Sequence, residues 1–98
     1  MKRIIKGPGT GKTRELLEHA QKTNSVVVCE NPSAMLVKAH NYGIHGLHFL
    51  DYDTAIDSCY EDCQENKRRY VFDEIENFVK YHLMKQNIEL NGYTLSNE

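Results

Sequence analysis

No part of the sequence approaches the roughly 20 consecutive apolar residues that a bilayer-spanning helix needs. Met1-Lys2-Arg3-Ile4-Ile5 runs straight into a polar Gly/Thr/Lys segment, where a secretory leader would carry its apolar core. Neither a membrane span nor a cleaved leader is therefore expected. An excess of one charge is also missing. With 12 Lys and Arg against 14 Asp and Glu, the net charge is −2, so no global field favours nucleic acid or an anionic surface, and only a local basic patch could do so. The 3 cysteines, Cys29, Cys59 and Cys63, are an odd number, which argues against a disulfide framework and for reduced thiols in a cytoplasmic protein. Internal repeats, low-complexity tracts and Pro/Ser-rich linkers are absent too.

What is present is the composition of one small globular domain, with 98 residues of which 40% are hydrophobic and 27% charged. A chain this short buries only about 60 to 65% of the surface its unfolded form exposes. The core must be small, and an oligomer or partner interface would add stability.

Strand-like and helix-like segments alternate. Arg3 to Lys6 reads as a short strand, followed by a Gly-rich turn and a helix over Lys12 to Thr23 with Leu16, Leu17 and Ala20 on one side. Ser25 to Cys29 is β-branched and apolar on both faces, as a buried parallel strand should be. Asn31-Pro32 then caps and opens a helix through Met35, Leu36 and Ala39 that stops near Gly43. A strand at Leu47 to Leu50 precedes a helix over Thr54 to Asn66, capped by Asp53, with Ile56, Cys59, Tyr60 and Cys63 on its apolar stripe. Arg69 to Asp73 makes a further strand, and Ile75 to Gln86 a helix carrying Ile75, Phe78, Val79 and Leu83. Ile88 to Ser96 is either a hairpin turning at Asn91-Gly92 or one last strand. Strands separated by single helices indicate βαβ units and a parallel sheet.

The strongest chemical signal is Lys6-Gly7-Pro8-Gly9-Thr10-Gly11-Lys12-Thr13, between a predicted strand and a predicted helix. Glycines let backbone N–H groups turn inward around a polyphosphate, and a helix start adds partial positive charge. Lys12 would reach the β and γ phosphates, and the Thr13 hydroxyl would ligate Mg²⁺. Arg14 is placed to approach the base or α-phosphate. A plain Gly-rich turn would explain the glycines, but not Gly-Lys-Thr at the first helical turn. One departure stands out: the spacing GxxxxGK[ST] requires a glycine where this chain has Lys6. The cradle from Gly9 to Thr13 is unaffected, so binding is better supported than catalysis.

The second signal is Tyr70-Val71-Phe72-Asp73-Glu74, in which an apolar strand runs into two acids at the end where open α/β sheets hold their ligands. Asp73 would hold Mg²⁺ through water, and Glu74 would orient or deprotonate the attacking water. An Asp-Glu pair by itself also suits a helix N-terminus. With the phosphate loop upstream, one site accounts for both.

Together these segments resemble the P-loop NTPase superfamily, and their order is similar to the first RecA-like half of superfamily 1 helicases. Gly7 to Thr13 resembles motif I of that family, and Phe72-Asp73-Glu74 resembles motif II. Val27 to Ala34 lies where a strand-to-helix DNA-contacting motif would be, Leu47 to Ala55 at the next strand and loop, and Gly92 to Ser96 at a polar-ended sensor strand. The resemblance implies an α/β, three-layer P-loop NTPase fold with a mostly parallel sheet of about five strands, comprising residues 1–98 as a single minimal nucleotide-binding domain. A second RecA-like half, a glutamine-containing adenine motif and an arginine finger in cis are not recognisable. Very small P-loop proteins of this layout resemble those of bacteriophages and mobile elements, which would place the chain in a host cytoplasm.

The expected function is binding of Mg²⁺-ATP, or another purine nucleoside triphosphate, with slow hydrolysis. Lys12 and Glu74 would be catalytic, Gly7, Pro8, Gly9, Thr10, Gly11, Lys12, Thr13 and Arg14 would bind the nucleotide, and Thr13 and Asp73 would hold the metal. The alternative is a nucleotide-binding regulatory or inhibitor protein that acts on a protein partner without significant turnover. An arginine for the reaction would come from a homo-oligomer or a partner, with Arg3, Arg68 and Arg69 as candidates; the simpler reading of Arg68-Arg69 is a solvated pair. His45, His48, Cys59 and Cys63 have the chemistry of zinc ligands, but the cysteines fit an apolar stripe better. Tyr42, Tyr52 and Tyr60 are read as packing residues that retain the capacity to stack on a base.

Overall fold

Three consecutive valines form the middle of the sheet. The computed structural model describes residues 1–62 and 69–96, except for the side chains of 59–62. In chain order the elements are α1 (Lys12–Thr23), β1 (Val26–Val28), α2 (Pro32–Asn41), β2 (Phe49–Leu50), α3 (Tyr52–Asp62), β3 (Tyr70–Phe72) and α4 (Ile75–Lys85). The strands make one parallel sheet in the order β2-β1-β3, with Val27 opposite Phe49 and Val71, and Val28 opposite Leu50 and Phe72.

Helix α2 carries the chain from β1 to one neighbour, and α3 carries it back past β1 to the other. Right-handed crossovers running in opposite directions place their helices on opposite faces of a sheet. The packing agrees. Val27 and Cys29 bury with Leu17 and Ala20 of α1, Met35 and Ala39 of α2, and Ile44. Val28, pointing the other way, buries with Tyr52 and Ala55 of α3 and is flanked by the partly buried Phe78 and Tyr81 of α4. Local chemistry sets the helix ends: the Asn31 side chain accepts from the Ala34 amide at 3.2 Å with Pro32 just inside. Helix α1 ends on Asn24 in the left-handed region (φ 53). Among the described residues no helix is long and apolar enough to cross a membrane.

Several expectations need correction. The five-strand, three-layer P-loop NTPase fold does not form; the described residues hold four helices and a sheet of three strands. The expected first strand, Arg3 to Lys6, has no regular structure, and Ile5 is 74% exposed. Its two isoleucines are flanked by Lys2, Arg3 and Lys6, whereas a strand joining a parallel sheet must be apolar on both faces. Ile88 to Ser96 forms neither strand nor hairpin; the Tyr93 hydroxyl instead donates to Glu76 of α4 at 2.8 Å. Asp51, not Asp53, caps α3 by accepting from the Thr54 amide at 2.8 Å, because Asp53 is engaged by Tyr81 and Lys85 of α4. In α4, Ile75 and Val79 are exposed, and the inward face is Phe78, Tyr81 and His82. The expected extension of α3 to Asn66 and the Cys63 position on its stripe lie outside the described residues.

Candidate functional site

The loop before α1 contains two left-handed glycines, Gly9 (φ 75) and Gly11 (φ 78), a conformation that costs an L-residue roughly 1 to 2 kcal/mol. Gly11 is the N-cap of α1 and offers no side chain to its first turn, so those amides are directed toward an outside acceptor. Thr10 closes the loop, its hydroxyl donating to the Gly7 carbonyl at 2.6 Å. Lys6 pairs with Glu15 at 3.2 Å, and its backbone lies outside the left-handed region. A lysine is therefore tolerated without strain at the position where the familiar spacing has glycine.

Strand β3 delivers the acids to the same place. The Asp73 amide donates to the Val28 carbonyl at 3.0 Å, which extends the sheet ladder by one residue and aligns the carboxylate with the start of α1. There the Thr13 hydroxyl donates to Asp73 Oδ1 at 3.3 Å, and Lys12 Nζ forms an ion pair with the Glu74 carboxylate. Residues 60 apart in the sequence thus share one hydrogen bond. Glu74 occupies the left-handed region (φ 56, ψ 65) at the N-cap of α4, and strain of this kind in a residue other than glycine concentrates at functional positions.

Burial, more than charge, sets the electrostatics of Asp73. Half-burial of Asp73 raises its pKa above the ordinary carboxylate range and the neighbouring Glu74 adds to this, against the opposing effects of the Thr13 hydrogen bond and the charges of Lys38 and Lys12. Lys12 is also pushed up, chiefly by its bond to Glu74. A hydroxyl and an under-compensated carboxylate are hard oxygen donors. That set suits Mg²⁺, which takes one or two protein ligands and completes its shell with water and phosphate oxygens. Among the described residues no three His, Cys, Asp or Glu converge on one point, so the site is not a cage for a metal alone.

The other candidates are placed elsewhere. Arg14 donates to Glu18 at 3.1 Å and lies 5.5 Å over the Tyr42 ring, along the flank of α1. Cys29 is a free, buried thiol whose pKa is pushed up to about 11, mainly by burial. His45 packs edge-on to His40 at 4.7 Å. Tyr52 is buried against Phe78 and Tyr81, and Arg69 is exposed just before β3. Cys63 and Arg68, and the side chains of Cys59 and Tyr60, lie outside the described residues. Sequence reasoning missed Lys38, whose charge reaches Asp73 from α2. It also missed the left-handed backbone of Glu74; neither has a local signature. No protein-family model matches the chain, and no curated protein or solved structure is significantly similar to it.

Proposed function

We propose that the chain binds a purine nucleoside triphosphate with Mg²⁺, most simply ATP, at the junction of the α1 loop with the end of β3, and hydrolyses it slowly. The reading is carried by the contact between Thr13 and Asp73, which joins the two segments that the sequence marks for phosphate and for metal. It does not need the five-strand frame. It needs a helix start free of side-chain caps, a lysine, a hydroxyl and two acids at one point.

In this reading the backbone amides from Gly9 to Thr13 take the phosphate oxygens. Lys12 exchanges Glu74 for the β and γ phosphates, and the freed Glu74 carboxylate orients a water and accepts its proton. Mg²⁺, held by Thr13 and Asp73, supplies charge neutralisation at the phosphates when bound. Preorganised amides and a lysine act by position and charge, which is most of what phosphoryl transfer asks of a protein. An arginine is missing from this set, and a second copy or a partner would supply it. The buried, reduced Cys29 accords with a cytoplasmic protein.

A second reading, a nucleotide-binding regulator of a protein partner without turnover, is favoured by the Lys12–Glu74 ion pair, in which the two residues assigned to catalysis hold each other. Calorimetric titration of ATP with Mg²⁺ tests the binding that both readings share. Lys12→Ala should abolish the signal while the circular dichroism spectrum is unchanged, and equal affinity in the variant would refute the site. A turnover that disappears in Glu74→Gln would then select the enzyme.

A further inference from the structure

A separate cleft of about 460 Å³ opens beyond the ends of β1 and β2, between the start of α3 and the outer part of α4. Its lining includes Glu30, Asp51, Tyr52, Asn77 and Tyr81, and neither Asp73 nor Glu74 is part of it. The charges on it are not equivalent. Asp53 is already satisfied by Tyr81 and Lys85, and Lys80 is committed to Glu76 at 3.0 Å. Asp51 takes the Thr54 amide at 2.8 Å, and the Thr54 side chain, that amide and, more weakly, the Lys85 charge hold its carboxyl below the ordinary range. Glu30 and Asp51 therefore face the cleft with no cationic side chain paired to them among the described residues.

Tyr52 supplies an independent observation. Although only 6% of the residue is exposed, it lines the cleft, and its hydroxyl has no hydrogen-bond partner among the described residues and is not sealed in the core. The hydroxyl meets the solvent of the cleft, and a ligand polar group bound there would take the place of water on it. The field of Glu30 reaches this phenol and, after burial, is the largest influence holding its proton on.

We propose that this cleft is a binding site for an organic cation, a guanidinium or primary ammonium group that donates to Glu30, Asp51 and the Tyr52 hydroxyl with its alkyl stem against the tyrosine rings. The molecule already contains the same recognition in miniature: the Lys85 ammonium lies 4.7 Å over the Tyr81 ring while bound to Asp53. An anion would meet carboxylates here, and a neutral group would offer no charge to the exposed Glu30, which no cationic side chain pairs among the described residues. Asp73 and Glu74 do not line the cleft, although their charges also reach the Tyr52 phenol, and the proposal does not depend on the phosphate-loop reading.

The test is calorimetric titration of the full chain with agmatine, a free guanidino amine, with the peptide acetyl-Gly-Arg-Gly-amide, and with its neutral citrulline analogue. Saturable binding of agmatine alone identifies a free small cation as the ligand. Binding of the arginine peptide identifies a side chain of a protein partner. Both outcomes support the site if the citrulline peptide stays silent and if Glu30→Gln and Tyr52→Phe each weaken binding about tenfold, as expected for losing a hydrogen bond to a charged group. Glu30 is exposed, so its variant folds even if the Tyr52 variant does not. Silence from both cations, equal binding of the citrulline peptide, or wild-type affinity in Glu30→Gln would overturn the proposal.

Discussion

Replacing Gly11 by alanine separates the geometry of the loop from its mere glycine content. Gly11 has φ 78, and a Cβ built there meets nothing within 4 Å, so the substitution is penalised by backbone conformation and not by collision. The left-handed penalty is roughly 1 to 2 kcal/mol. Alanine recovers about 0.4 to 1 kcal/mol by restricting the unfolded chain. A net loss of about 1 kcal/mol follows, which in a domain of this size lowers Tm by roughly 4 to 8 °C. Gly7 provides the matched control: its Cβ would also meet nothing within 4 Å, but its backbone is outside the left-handed region, so only the unfolded-state gain remains and Gly7→Ala should raise Tm slightly. Thermal unfolding followed by circular dichroism measures both. If alanine relieves its strain by moving to negative φ, the first-turn amides of α1 turn away from the anion, so Gly11→Ala should also weaken Mg²⁺-ATP binding at least tenfold while Gly7→Ala leaves it within a few-fold. Equal Tm shifts of the same sign would refute the conformational argument.

The remaining expectations concern charge and core. Because the Asp73 pKa is raised in the folded chain, its ionised form opposes folding; stability should rise as pH falls from above that folded value toward the unfolded one, and Asp73→Asn should flatten this part of the pH profile. The same substitution should weaken Mg²⁺-dependent ATP binding, whereas Glu74→Gln should spare binding and remove hydrolysis, as titration and phosphate release would report. With a thiol pKa of about 11 in a buried position, Cys29 in a Cys59→Ser/Cys63→Ser chain should react with a disulfide reagent only on unfolding; fast labelling of the native chain at neutral pH would contradict this. Leu17, fully buried where α1 meets β1, should cost about 3 to 5 kcal/mol when truncated to alanine, measured by urea unfolding.

The parts of the fold legible in the sequence were those with a local cause. Val26 to Val28 is β-branched on both faces, Asn31-Pro32 starts a helix by itself, and both became elements at the expected places. Strands β2 and β3 also fell within the expected segments, whereas the two terminal segments were misread as strands because a strand is defined by its neighbour. Ile4-Ile5 looks like one until its flanking cations must be buried, and the tail satisfies itself through Tyr93 and Glu76. The choice between Asp51 and Asp53 as the α3 cap was likewise settled at long range, by Tyr81 and Lys85. At the site, the residue types of the α1 loop and of Asp73-Glu74 pointed to a shared location, and Thr13 does touch Asp73. The ion pair of Lys12 with Glu74 had no sequence signal, since it depends on a backbone conformation that glutamate seldom adopts.

The two faces of the sheet are unequally tied down. Among the described residues, one carries a cluster of seven buried residues from α1, β1 and Cys29 after it, α2 and the turn at Ile44, while the buried residues of the other are Val28, Tyr52 and Ala55, and α4 contributes no fully buried residue. Cooperative opening should therefore begin with α4 and the tail, whose amides should exchange with solvent well before those of α1 and β1. Lys12 and Thr13 sit on the firm half, and Asp73 and Glu74 lead directly into the loose one. A ligand bridging these four residues would clamp α4 to the rest of the chain, so its occupancy should register as slowed exchange along a helix most of whose residues it never touches.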